Sequence, residues 1–507
     1  MSQPSLVIRN AHIVDGTGGP SIYGDVAIRD GRISEVGTVS GKGAHEIDAD
    51  DLTLAPGFID VHTHYDPQLC WDRLATPSME HGVTTVVTGN CSLSLAPVKP
   101  DGSSRKLVKM FEKIEDISEH TFEQAVPFNW ESFPEYLEEM RKGLGINVGF
   151  LVGHSALRWY VMGAESQQRV ATDGEIARMC ELLEQAMEAG ALGMSISYVD
   201  LDEHNKPVPS QLADMREKTA LCKAMAKSGR GVLQTVPIFF SPKKQLENIA
   251  ELGELSLASG IMCTFAPLLV FPVGGLWKKS LDALEAWRAK GAKVFAQVTP
   301  RPFDFNMRLS EHSMIFIAQG DWERILKLPI PERIAALKDP INREKLRIQS
   351  AKIPTLMALT VGEVYSAENE PLRGRKLMEL SGELGKHLAD TLIDIALADD
   401  LRTEFRVEGV MHADTRKVGD LLDHPLCHVG ASDAGAHVAQ FCGAGDTTFL
   451  LEKYVRDEDQ LSLERAVHRI TGELADDWGI KDRGRIAPGL AADLVLFDPD
   501  EVARLAL

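Results

Sequence analysis

The 507-residue sequence predicts an α/β protein, a (β/α)8 TIM barrel with a small β-sandwich domain built from the N- and C-terminal segments. Three observations carry this expectation. Eight apolar, β-like runs alternate with helical stretches through the middle of the chain, short β runs occur at both ends, and the first run of the middle region ends in His-x-His.

At the N-terminus, Leu6 to Val14 and Asp25 to Arg29 are apolar or alternating, and Asp30-Gly31 is a tight-turn pair leading into Arg32-Ile33-Ser34-Glu35-Val36. At the far end, Pro488-Gly489 precedes the β run Ala492-Asp493-Leu494-Val495-Leu496-Phe497. A few terminal strands cannot bury their own faces, so residues 1–53 and 485–507 are expected to pair into one small domain. The barrel, residues 54–484, has its strands at 57–64, 84–91, 146–154, 191–198, 231–237, 261–270, 293–299 and 428–433. Many are apolar throughout, as parallel strands covered on both faces must be. Thr172-Asp173-Gly174-Glu175 is a capping box that opens a helix over 172–189, ended by Gly190. Periodicity alone leaves an open doubly wound sheet as the alternative. Residues 302–426 are too many for one crossover and are read as an insertion before the last strand, a lid or an oligomer contact. Helical stretches are expected there at 321–327, 331–337 and 377–398, with a β-like run at 355–364.

Composition narrows the function. Hydrophobic residues make up 44% of the chain, enough for a sizeable core, and the net charge is −20. Such a surface repels phosphate backbones and anionic lipid, so neither nucleic acid nor membrane is the expected partner. No uncharged apolar run reaches the roughly 20 residues of a spanning helix, and Met1 to Ser5 lack a signal-peptide pattern. Seven scattered cysteines fit reduced thiols, and a cytoplasmic protein is expected. A small-molecule substrate and a homo-oligomer complete the expectation for partners.

The segment Gly57-Phe58-Ile59-Asp60-Val61-His62-Thr63-His64 is the most informative. Period-2 geometry puts His62 and His64 on one face at the C-terminal end of a strand, where barrel enzymes keep their sites. Two imidazoles so placed can bind one divalent metal.

Pro56 to His64 resembles the first barrel strand of the amidohydrolase superfamily. Gly82-Val83-Thr84-Thr85, Gly89-Asn90-Cys91-Ser92, Gly153-His154-Ser155-Ala156-Leu157-Arg158 and Gly190-Ala191-Leu192-Gly193 extend the likeness, as do Ser432-Asp433-Ala434-Gly435-Ala436-His437 and Pro488 to Val495. The pattern is similar to the N-acyl-D-amino-acid deacylase (D-aminoacylase) branch. The resemblance implies a metal-dependent barrel that hydrolyses a C–N amide bond, most readily of an N-acyl-D-amino acid or a related N-acyl compound. A different amide, cyclic amide or ester is the alternative, and a non-catalytic metal-binding subunit is a third. It implies that Cys91 is a metal ligand and that Asp433 both touches metal and accepts a proton from water. A thiolate is a strong zinc ligand. The expected site is therefore a divalent metal, zinc, on His62, His64, Cys91 and Asp433, with Asp433 catalytic. The branch also implies metal-binding histidines on strands five and six and a substrate-binding lysine near the latter. Here those strands read Gly231-Val232-Leu233-Gln234-Thr235-Val236-Pro237 and Met262-Cys263-Thr264-Phe265-Ala266-Pro267, without histidine. One metal per chain is therefore expected, with two as the alternative. His154, Tyr198 and Arg301 are candidate substrate contacts, each with a packing or ion-pair role as its alternative.

Overall fold

The computed structural model describes residues 3–311 and 313–504. Five strands precede the barrel: β1 (Leu6–Ile13), β2 (Ile22–Arg29), β3 (Arg32–Gly37), β4 (His45–Asp48) and β5 (Thr53–Pro56). β2 turns into β3 through Asp30 and Gly31, both at positive φ (50° and 72°), the geometry that suits a two-residue hairpin. A register shift in β1 between Ile8 and Ala11 lets β4 pair with its first half and β5 with its end.

The barrel strands are β6 (Phe58–Asp60), β7 (Val83–Thr88), β8 (Asn147–Gly153), β9 (Gly193–Ser197), β10 (Val232–Val236), β11 (Met262–Phe265) and β12 (Val294–Val298). Three insertion strands follow, β13 (Phe305–Met307), β14 (Leu359–Val361) and β15 (Phe405–Val407), and then the eighth barrel strand, β16 (Cys427–Val429). The eight barrel strands pair in parallel in chain order, β6 through β12 and then β16. The ring closes between its first and last members: the Asp433 amide donates to the His62 carbonyl (3.1 Å) and the His64 amide to the Ala434 carbonyl (2.7 Å). These bonds make a near-closed barrel rather than an open sheet. Helices cover the outside, among them Asp173–Ala189, whose Thr172/Glu175 capping box is formed.

β17 (Leu494–Phe497) runs antiparallel to β5, so both ends of the chain share one mixed sheet, β17-β5-β1-β2-β3, with β4 on β1. One of its faces buries Ile8, Ile13, Val26, Ile33 and Leu54 against Ile486.

The insertion has a core of its own around Trp322, Phe316, Leu356, Leu392 and Phe405. Its sheet is antiparallel, β13-β15-β14. The helix expected over 377–398 is two, Leu377–Leu384 and Leu388–Ala398, because Gly385 at φ 58° ends the first. A helix not anticipated, Pro340–Ser350, starts where the Asp339 carboxylate accepts from the Ile341 and Asn342 amides. The β-like run at 355–364 contributes only the three residues of β14. Among the described residues no helix is long and apolar enough to cross a membrane.

Candidate functional site

Regular β6 ends at Asp60, and residues 62–64 continue as an extension bonded to both neighbours. The Thr63 amide donates to the Val87 carbonyl on one side and the His64 amide to Ala434 on the other. His62 and His64 keep the orientation that period-2 geometry requires, and both are buried. Past the end of β7, Gly89 (φ 83°) passes so close to the Leu151 carbonyl that a Cβ would meet its oxygen. The chain then turns through Cys91 and Ser92, both left-handed (φ 56° and 64°). Past β16, Asp433 is left-handed too (φ 55°). Such a conformation costs a non-glycine residue on the order of 1–3 kcal/mol and persists only where surrounding structure enforces it.

The enforcement is visible in the hydrogen bonds. The Cys91 amide donates to Gln234 Oε1 on β10 (3.2 Å), the Ser92 amide donates to Ser195 Oγ on β9 (3.0 Å), and that hydroxyl donates to the Gly89 carbonyl. Ser432 Oγ donates to Asp60 Oδ2 (2.6 Å) and to the His62 carbonyl (2.9 Å), which fixes the turn into Asp433.

Three donor atoms converge, and a fourth lies beside two of them. Cys91 Sγ lies 3.6 Å from His62 Nε2 and 3.6 Å from His64 Nε2, and Asp433 Oδ1 lies 3.1 Å and 3.7 Å from the same two nitrogens. Zinc ligated by nitrogen at about 2.0–2.1 Å and by sulfur at about 2.3 Å holds tetrahedral donors roughly 3.3–3.6 Å apart. The spacing fits one ion. Among the described residues His62, His64 and Cys91 are the one group of three or more His, Cys, Asp or Glu with mutually converging ligand atoms, and Asp433 stands beside the two histidines.

The remaining ring nitrogens are oriented as metal-bound histidines require. His62 Nδ1 is 3.1 Å from Gln297 Oε1 on β12, and His64 Nδ1 is 3.3 Å from Glu115 Oε1. Gln297 Nε2 in turn reaches Thr264 Oγ1 on β11 at 3.4 Å. Burial pushes the Cys91 thiol well up, and nearby Glu115, Asp200 and Asp433 add to it. Burial and neighbouring carboxylates push Glu115 well up, and burial lifts Asp200 to about 6. Burial alone would raise Asp433, but hydrogen bonds and charge from His62 and His64 outweigh it and hold the carboxyl well below its usual range. A divalent ion reverses this logic and ionises the thiol.

His62, His64, Cys91 and Asp433 open onto a cavity of about 660 Å³, which Glu115, Asp200 and His437 also line. Its outer wall comes from Phe239 and Phe240 after β10 and from the insertion, through Phe303, Ile315, Ile317 and Ile353. The insertion therefore does line the pocket, mainly through residues 314–319 and 352–355 and, within 301–309, through Phe303.

Three candidate substrate contacts do not reach this cavity. His154 is fully buried with both ring nitrogens engaged, Nδ1 by Ser210 Oγ (3.0 Å) and Nε2 by Glu217 Oε1 (2.9 Å), and Arg158 closes the cluster on Glu217. Tyr198 turns outward to donate to Glu251 Oε1 (2.7 Å), with Lys218 over its ring. Arg301 is buried in an ion pair with Asp446 (2.9 Å) and donates to the Ser432 carbonyl (3.1 Å), so it steadies the loop before Asp433. Conversely, Gln297, Glu115 and Asp200 were not singled out from the sequence. Gln297 had a readable signal, a lone amide within the apolar run 293–299. Glu115 and Asp200 sit just past a helix and a strand, where local pattern says nothing.

The Amidohydrolase family profile matches residues 45–506. The chain belongs to the amidohydrolase family. An uncharacterized protein of Mycobacterium tuberculosis is 31% identical over 529 residues, spanning 97% of this chain and 84% of its own length. N-acyl-D-aspartate deacylase of Alcaligenes xylosoxydans xylosoxydans is 29% identical over 521 residues, spanning 100% and 88%. Within the family, a solved D-aminoacylase superposes with a TM-score of 0.68 at 26% identity, covering 99% of this chain and 92% of that one. Its metal centre is described as binuclear, with one-metal activation and second-metal attenuation.

Proposed function

We propose that this amidohydrolase is a metal-dependent hydrolase that cleaves the C–N amide bond of an N-acyl compound with water, at a single zinc. The observation that carries the reading is the convergence of His62, His64, Cys91 and Asp433 at the open end of the barrel, beside a cavity of substrate size. Likeness to N-acyl-D-aspartate deacylase and D-aminoacylase supports the reaction class, and activation of the latter by one metal is compatible with a single-ion site.

Zinc held there would acidify a water molecule and polarise the scissile carbonyl. The protein supplies the rest. His62, His64 and Cys91 are nearly or fully buried, whereas the Asp433 side chain keeps 24% of its exposure and faces the cavity. Its carboxylate can therefore accept the water proton and return it to the leaving nitrogen, one group acting as base and then acid. Gln297 holds the His62 imidazole with Nε2 inward, Glu115 stands 3.3 Å from His64 Nδ1, and the apolar wall excludes bulk water.

The test is to strip the protein with chelator, restore zinc and assay hydrolysis of chiral N-acyl amino acids beside N-acyl amines and cyclic amides, with elemental analysis in parallel. About one zinc per chain, lost in His62→Ala and Cys91→Ala, with amide hydrolysis restored by zinc, is the expected result. A requirement for two stoichiometric metals would remove the single-ion site. Full metal loading without hydrolysis of any amide would remove the enzyme reading.

A further inference from the structure

The charges around the cavity are uneven. Among the described residues, the lysines and arginine nearest its mouth, bar Lys352, are paired with carboxylates. Lys113 is bound to Glu323 (2.6 Å), Arg301 to Asp446 (2.9 Å), Lys106 to Asp202 (2.8 Å) and Lys218 to Glu251 (2.6 Å). Among the described lining residues only Lys352 is a cation outside an ion pair, and it is exposed on the insertion. Three carboxylates line the same space, those of Asp433, Glu115 and Asp200.

Asp200 is the carboxylate that the metal site leaves over. A divalent ion is balanced by the Cys91 thiolate and Asp433, and Glu115 faces His64 and His437. The backbone of Asp200 is tied down, its amide by Ser197 Oγ (3.1 Å) and its carbonyl by the Val208 amide (3.2 Å) and Gln211. Its Oδ2, however, is buried and has no hydrogen-bond partner. A buried acceptor without a donor is costly, so a ligand that brings a donor gains by entering. A carboxylate brought beside it meets like charge in a space of low dielectric. The remaining wall, Phe239, Phe240, Phe303, Ile315, Ile317 and Ile353, offers apolar surface.

We infer that the substrate is an uncharged amide whose N–H donates to Asp200 and whose larger apolar group lies against the insertion, rather than an N-acyl amino acid with a free carboxylate. This inference rests on the hydrolase reading above and names the substrate class for that same site.

The test uses the zinc-loaded full-length protein and a pair of compounds differing only in the carboxylate, N-acetyl-D-phenylalanine and N-acetyl-2-phenylethylamine. Acetate release gives kcat/KM, and calorimetry gives Kd independently of turnover. The uncharged member should show at least about tenfold higher kcat/KM and tenfold lower Kd. Asp200→Asn should bring the two Kd values to within about threefold, with Asp200→Ser moving them in the same direction. Equal or better binding of the acid, binding of neither compound, or a ratio indifferent to Asp200→Asn overturns the inference. Cleavage of both with the acid preferred would spare the hydrolase reading and sink this one. Tighter binding of the uncharged compound with cleavage of neither would do the reverse.

Discussion

β6, β7 and β16 bring His62, His64, Cys91 and Asp433 to one point, whereas β9, β10 and β11, across the ring, present Ser195, Gln234 and Thr264. The second group is polar and buried, and two of its members, Gln234 and Thr264, lie on strands five and six, where the resemblance leads one to expect metal ligands. Each member instead holds a residue of the first group in place. Ser195 and Gln234 fasten the left-handed turn at Cys91, and Thr264 steadies Gln297, which orients His62. A hydroxyl or an amide at these positions does not ligate metal as an imidazole would, but each hydrogen-bonds to a residue that holds the remaining ligands in place. On the proposed mechanism one half of the mouth carries the chemistry and the other half supports it, a division open to the following tests.

The largest effect is expected at Asp433. Asp433→Asn keeps an oxygen donor but removes the carboxylate that can take a proton. Turnover should fall by a factor on the order of 10²–10⁴, the usual contribution of a positioned general base. Zinc content by elemental analysis should be largely retained, and KM should change far less than kcat. Turnover unchanged with metal bound would strike Asp433 from the mechanism and turn attention to Glu115, Asp200 and His437, which also line the cavity.

The supporting side should respond through metal affinity. Gln297→Leu removes the acceptor for His62 Nδ1 while filling similar space. Zinc affinity, read by competition with a chelator, should weaken by about 10–100-fold, the usual consequence of losing such a partner. A variant that keeps wild-type affinity would mean that the β11–β12 side contributes shape alone. Gln234→Ala should act less on metal than on stability. It leaves the buried Cys91 amide without an acceptor, a loss of about 1–3 kcal/mol in chemical denaturation. An unchanged unfolding midpoint would show that the Cys91 turn stands without β10.

These pairs also show why the site was only half legible in the sequence. His62 and His64 lie in a short motif whose spacing has meaning within one strand, so local periodicity found them, whereas Cys91 and Asp433 were legible only through the resemblance. The barrel and the pairing of the two chain ends were legible for the same reason, since apolar runs and turn pairs are local signals. Glu115 and Gln297 matter through contacts across 51 and 235 positions of sequence, and periodicity carries no such information. His154 misled in the opposite way. A histidine at a strand end reads as a site residue, but the Glu217 and Arg158 side chains that absorb it come from helices packed outside the barrel.

The smallest expected effect concerns how the apolar wall is held over the polar floor. Glu323, on an insertion helix, accepts from Lys113 beside the cavity, from Lys327, and from Asn205 in the loop after β9 (2.6, 3.0 and 2.8 Å). Burial would raise its carboxyl, but these three donors outweigh that and hold it at about 2, below its ordinary 4.5. Burial works the other way on Lys113, pushing its ammonium down, so the low Glu323 value depends on the three donors together. A carboxyl depressed in the folded state contributes stability that is complete above its unfolded value and is lost as the pH falls towards the folded one. The window is therefore pH 5 down to about 2. At pH 7, Glu323→Gln should lower Tm by about 2 °C, a modest loss for a chain of this size. The gap from wild type should narrow through that window and close near its lower end, because wild-type Glu323 is then protonated as well. Thermal scans of both proteins from pH 7 to pH 2 measure this directly. Curves that stay parallel throughout would mean that Glu323 does not tie the insertion to the barrel, and that the wall over the metal site is held by its apolar contacts alone.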